Sequence, residues 1–107
     1  MNSREKGKRG ELELAHYLRD HGFEGARRGQ QYSGANGDAD IIGALPGIHI
    51  ECKRVERLNL EEAFRQSKAD AERRNETPVV IHRKSRQQWM ITLRLADFLS
   101  MLRKEMG

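Results

Sequence analysis

Glu51 and Lys53 stand two residues apart in the segment Ile48-His49-Ile50-Glu51-Cys52-Lys53-Arg54. Apolar and polar residues alternate there. The pattern predicts a strand with Ile48, Ile50 and Cys52 on a core face and His49, Glu51 and Lys53 on the other. A carboxylate beside an ammonium can be a plain salt bridge. It can also be a metal ligand next to a group that stabilises developing negative charge. The pair alone carries little weight, since roughly 0.6 Glu-x-Lys occurrences arise by chance from eleven Glu and six Lys. Its surroundings sharpen it. Asp40 lies near the start of the apolar segment Ala39–Leu45, directly after a Gly-rich stretch, and Pro46-Gly47 is a turn signal between the two segments. A hairpin would bring Asp40 and Glu51 to one end of a sheet. Two carboxylates held together repel unless one is protonated or a cation bridges them. Hard oxygen donors of this kind suit Mg²⁺ or Mn²⁺.

Glu11 is the third acid. Positions 11, 14, 15 and 18 form one helical stripe, so Glu11 shares the inward face of Leu14, Ala15 and Leu18. A carboxylate there needs a partner; a charge favoured by the helix start is the plainer alternative. Glu13, four residues from Arg9, reads as half of a solvated surface pair. His49 shares the Glu51 face, either as a partly buried polar residue or as a contact to DNA or ligand. His16, His21 and His82 lack metal-ligand spacing. The Gly-rich stretch matches neither the P-loop nor the dinucleotide fingerprint, and no Ser/His/Asp arrangement stands out. Trp89 reads as core or interface.

The elements that must hold these groups follow from periodicity. A helix is predicted over Glu5–His21, closed by Gly22, and a short extended piece over Ala26–Arg28. Gly29–Gly37 has loop chemistry. Strands are predicted at Ala39–Leu45 and Ile48–Arg54. Leu58, Asn59 and Glu62 form a staple and capping box for a helix running to about Arg74. Strands at Val79–His82 and Trp89–Leu93 flank Lys84-Ser85-Arg86. A last helix over Leu95–Lys104 puts Leu95, Phe98, Leu99, Leu102 and Met106 on one face. The order αβββαββα is an α/β arrangement of the mixed α+β kind, a small mixed sheet flanked by helices.

The 107 residues fit one domain, 1–107. Mean hydropathy is −0.85, and no apolar run approaches the ~18 residues of a membrane span. The N-terminal residues lack the apolar core of a secretory signal. The lone Cys52 excludes an internal disulfide and a Cys-rich zinc site, so a cytoplasmic setting is expected. Twenty Lys and Arg against sixteen Asp and Glu give +4, with Arg outnumbering Lys fourteen to six. That balance suits either a soluble basic surface or contact with nucleic-acid phosphates.

Lys6-Gly7, Gly10-Glu11, Leu14, Leu18, His21-Gly22-Phe23, Arg27, Ser33-Gly34, Asp40-Ile41 and Ile50-Glu51-Cys52-Lys53 occur in that order. In this run, over residues 6–54, the sequence resembles the archaeal-type Holliday junction resolvases of the PD-(D/E)XK nuclease superfamily, whose small members also occur in phages. The resemblance implies a restriction-endonuclease-like core. It implies a homodimer with two Mg²⁺-dependent sites that nick opposite strands of a four-way DNA junction, with Mn²⁺ as a substitute ion. Residue by residue, Glu11 matches the N-terminal helix glutamate, Asp40 the motif aspartate, Glu51 the second acid and Lys53 the motif lysine, so Asp40 and Glu51 are expected to bind the metal with Glu11 a direct or water-mediated ligand. Arg27 matches the arginine after the Gly-Phe turn, with Arg28 a close competitor, and Ser33 matches a serine of a loop near the site. Gln66 stands where many nucleases of the superfamily carry a helix glutamine that helps order the site; a surface glutamine is the alternative. Lys6, Lys8, Arg9 and Arg54 complete the cations expected to touch DNA. Two positions depart from the pattern: Leu12 stands where the family often has Arg, and Ala39 precedes Asp40 where Pro is common. A related nickase, flap or restriction-type nuclease, a non-catalytic DNA-binding module on the same fold, and a structural protein are the other readings.

Overall fold

The computed structural model describes residues 3–29 and 39–106, with side chains from Gly7 onward. Ser33 and the Lys6 side chain lie outside the described residues. The elements are α1 (Ser3–Asp20), β1 (Arg27–Arg28), β2 (Ile41–Ile42), β3 (Ile48–Arg54), α2 (Leu60–Arg74), β4 (Thr77–Arg83), β5 (Met90–Thr92) and α3 (Leu95–Met106). They form a mixed sheet in the order β1-β2-β3-β4-β5 between helices, as the sequence predicts. Only β3 and β4 are parallel; the other neighbours run antiparallel. A parallel pair needs a long crossover, and α2 supplies it.

Helix α2 forms where its caps predict. The Asn59 side chain accepts from the Glu62 N–H, and Asn75 closes the helix in a left-handed conformation with φ 54°. Its stripe Ala63, Ser67 and Ala71 is buried against β3 and β4. Ser67 Oγ donates within the buried layer to the carbonyls of His49 and Val79. On the other face α1 packs Leu14, Ala15 and Leu18 against Ile41, Ile50, Cys52, Val79 and Ile81.

Strand β3 therefore differs from the one-sided strand its alternation predicts. It is central, its next neighbour is parallel, and helices cover both faces, so His49 and Glu51 are buried along with Ile50 and Cys52. Strand β2 is also shorter than the predicted Ala39–Leu45. It ends at Gly43, at φ 77°, where the chain crosses the backbone of Gly25. A Cβ on Gly25 would fall 2.6 Å from the Gly43 carbonyl oxygen.

Helix α3 follows β5 and packs extensively on none of the other described elements. Leu95, Phe98, Leu99, Leu102 and Met106 are all exposed, as are Met90 and Ile91 of β5. No described helix is long and apolar enough to cross a membrane.

Candidate active site

The antiparallel β2–β3 pair places Asp40. Its N–H donates to the Ile50 carbonyl at 2.9 Å, next to the Ile41–Ile50 register pair. Its Oδ2 accepts from the Cys52 N–H at 2.8 Å. Asp40 is thus bound to the strand residue that separates Glu51 from Lys53. Lys53 Nζ lies 3.6 Å from Glu51 Oε2, and the lysine is about one-third exposed while the glutamate is buried.

Helix α1 brings Glu11 to the same region because it approaches β3 closely at Gly10. A Cβ on Gly10 would come within 2.6 Å of Arg54 Cβ. Glu11 Oε1 accepts from Arg28 Nε at 2.9 Å. Of the two competing arginines, Arg28 is therefore the one beside the acids. Arg27 is exposed and, among the described residues, donates to the Gly25 carbonyl at 3.2 Å.

Glu11, Asp40 and Glu51 expose 8%, 8% and 5% of their surface. Burial, with the charge of Asp40 added, pushes Glu51 up to about 8; Lys53 pulls it down, and Asp70 raises it further. The same two causes raise Glu11, against the pull of Arg28 and Lys53. Asp40 is the acid that both glutamates feel. The Cys52 thiol is driven far up by burial and then by Asp40, Glu11, Glu51 and Glu13.

Two residues near this cluster escape local sequence rules. Glu13 does not pair with Arg9. Its Oε1 lies 3.4 Å from Arg54 Nε and 3.1 Å from Arg83 Nη1, because α1 lies across the ends of β3 and β4. Asp70, half-buried on α2, adds its field to Glu51. Its position between buried Ser67 and Ala71 is the signal that could have found it.

The other expected residues are more scattered. Arg54 is engaged with Glu13, Glu56 and Ser85. Lys8 and Arg9 are exposed on α1, and Gln66 is exposed on α2 one turn before Asp70. His49 does not face a ligand: it is fully buried, and its Nδ1 meets Glu76 Oε1 at 3.0 Å. Trp89 packs at the edge of the core beneath the Arg83 guanidinium, 5.7 Å from ring centroid to Cζ.

Among the described residues no three His, Cys, Asp or Glu side chains form a ready-made cation cage. The donor chemistry nonetheless fits a divalent ion. Asp40 and Glu51 are buried oxygen donors whose mutual repulsion is relieved at neutral pH by a proton, and a hard cation can take the proton's place. Glu11 is held by Arg28 and feels the charge of Asp40, so its carboxylate stands near that pair.

A family model described as "Phage putative PDDEXK endonuclease" matches residues 2–106. The fold is similar to a solved structure of Hjc, a Holliday junction resolvase from the archaeal hyperthermophile Archaeoglobus fulgidus. That likeness has 26% identity and a TM-score of 0.59, and covers 82% of this chain and 72% of the other. No curated protein matches the sequence. The chain belongs to the phage PDDEXK endonuclease family, and its fold is the restriction-endonuclease-like fold of Hjc. Nucleases of this superfamily generally use divalent metal ions.

Proposed function

We propose that this endonuclease is a Mg²⁺-dependent, structure-selective enzyme that resolves four-way DNA junctions by paired nicks, working in the cytoplasm as a homodimer of single-domain chains spanning residues 1–107. The observation that carries the reading is the juxtaposition of Asp40 and Glu51 with Lys53 at the lip. Two like charges buried together are costly in a fold and useful at a cation site.

Asp40 and Glu51 would hold the ion, with Glu11 a direct or water-mediated ligand whose charge Arg28 offsets. Such an ion would supply an acidified water and a polarised phosphate. Lys53, beside Glu51, would position the attacking water and offset the negative charge that builds on the phosphate oxygens. The Cys52 N–H holds Asp40 in register with Glu51, so the donors need little rearrangement. Arg27, Lys8 and Arg9 present cations to the flanking DNA, Arg28 joins them at the site edge, and Gln66 lies on the helix face next to Asp70. Mn²⁺ substitutes for Mg²⁺ because it accepts the same donors.

The dimer supplies the second active site that paired cuts on a two-fold symmetric junction require. The exposed apolar stripe of α3 supports this pairing, since large exposed apolar patches mark interaction surfaces.

The test is cleavage of a labelled four-way junction beside linear duplex, flap and single strand, with Mg²⁺ and with chelator. Symmetric paired nicks confined to the junction are expected. Equal cutting of linear duplex, or cutting in chelator, would refute the reading.

A further inference from the structure

The turn joining β4 to β5 carries features that the acid cluster does not use. The Gln87 N–H donates to the Lys84 carbonyl at 3.2 Å, closing a turn over Lys84-Ser85-Arg86-Gln87. Arg86 holds its third position at φ 63°, in the left-handed region where Gly or Asn is usual. An arginine there costs backbone free energy that a glycine would not.

The turn is anchored to the motif strand. The Ser85 N–H donates to Glu56 Oε2 at 2.9 Å, and Arg54 Nη1 donates to Ser85 Oγ at 3.2 Å. Both anchors come from the chain just beyond Lys53. Across the parallel pair, Lys53 is in register with His82 and Arg54 with Arg83. Side chains in register on parallel neighbours project to the same face, so Lys53 is beside His82. At His82 begins a cavity of about 660 Å³, lined by His82, Arg83, Lys84, Gln87, Gln88 and Met90.

The turn's own charged side chains are all basic. Residues 82–94 contain no Asp or Glu. Arg83 is neutralised by Glu13. Lys84 and Arg86 are exposed, and neither side chain has an acidic partner among the described residues. Two unneutralised cations and two amides, held on an anchored turn beside the lysine end of the motif strand, match a polyanionic backbone and not an apolar or basic partner.

We propose that the β4–β5 turn grips the sugar–phosphate backbone of the substrate DNA beside the scissile phosphate. Lys84 and Arg86 sit on phosphate oxygens, and the Gln87 and Gln88 amides donate to phosphate or sugar oxygens within the cavity. The proposal rests on the nuclease reading above and adds a second point of hold.

Binding of a labelled four-way junction and a linear duplex, in chelator and over a range of salt, tests it. Removing one cation from a phosphate lowers the slope of log affinity against log salt by about 0.9. Arg86→Gly should lower it by about one and Lys84→Ala with Arg86→Gly by about two, with affinity weakened about tenfold on both DNAs. The thermal midpoint of Arg86→Gly should hold or rise, because the left-handed strain is removed. Lys84→Ala alone provides the same slope readout should Arg86→Gly perturb the turn. A wild-type slope and affinity in the double variant would overturn the grip, whatever the wild type cleaves. A reduced slope in a protein whose wild type cuts no DNA would support the grip and overturn the cleavage reading.

Discussion

Asp40 Oδ2 accepts the backbone N–H of Cys52 at 2.8 Å, so the acid of β2 is fastened to the residue between Glu51 and Lys53 of β3. A backbone donor cannot be exchanged by mutation of a side chain, and it ties the Asp40 carboxylate to the strand that carries Glu51, whose carboxyl feels its charge. The repulsion is then offset by a proton, a cation or Lys53.

Removing one carboxylate should separate chemistry from folding. Asp40→Asn keeps an oxygen for the Cys52 N–H, and Glu51→Gln keeps the volume of the buried side chain. Cleavage should fall at least about a hundredfold in each. The thermal midpoint in chelator should hold or rise, and metal-free affinity for DNA should hold or rise as well, because a buried negative charge is removed. Near-wild-type cleavage in either variant would remove that residue from the site.

Glu51 also makes a pH prediction. Its carboxyl ordinarily titrates near 4.5 and is pushed up to about 8 in the fold. Between those values the folded chain keeps a proton that the unfolded chain has released. The metal-free protein is therefore most stable, on this account, below 4.5 and loses stability as pH rises toward 8, by up to about 1.4 kcal/mol per unit. Thermal unfolding in chelator should show the decline in wild type and a flatter profile in Glu51→Gln. Mg²⁺ must displace the same proton, so its affinity should climb about tenfold per pH unit across the window. Parallel pH profiles for the two proteins would contradict the assignment.

Lys53 should matter to turnover and not to the ion. Lys53→Ala is expected to lose cleavage at least about a hundredfold while Mn²⁺ titration gives an unchanged or tighter binding constant. A collapse of metal affinity would instead make Lys53 an organiser of the carboxylates.

The apolar face of β5 and α3 predicts an association state. Light scattering should give twice the 12.3 kDa chain mass. Leu99→Asp, placing a charge in the exposed stripe, should return the mass to that of one chain and abolish paired nicking. A wild-type protein that stays at one chain mass on a bound junction would favour a single-site nickase.

Local pattern carries most of the fold. The caps of α2 and the bounds of β3 depend on neighbours within a few residues, and both are where the sequence places them. The acids Asp40 and Glu51 are legible for the same reason: a turn signal lies between two apolar segments. What escapes depends on partners distant in the chain. Helical spacing assigns Glu13 to Arg9, yet its partners are 41 residues away at Arg54 and further still at Arg83. Strand alternation places His49 with Glu51 on an open face, but the parallel neighbour β4 and the covering helix α2 bury it against Glu76. The choice between Arg27 and Arg28 turns on one residue of register in a two-residue strand, which no periodicity resolves. The exposure of the α3 stripe is invisible to a hydrophobic period, which marks an apolar face and not what covers it.

Cys52 is the chain's only thiol, and it sits sealed between Glu51 and Lys53. The cluster thereby carries its own reporter. An alkylating reagent reaches that sulfur only when β3 is laid open, so the labelling rate clocks the opening of the acids themselves. With no second cysteine to correct for, the mass change of a single adduct marks each molecule once it has opened, and a cation that knits the carboxylates together should slow that labelling.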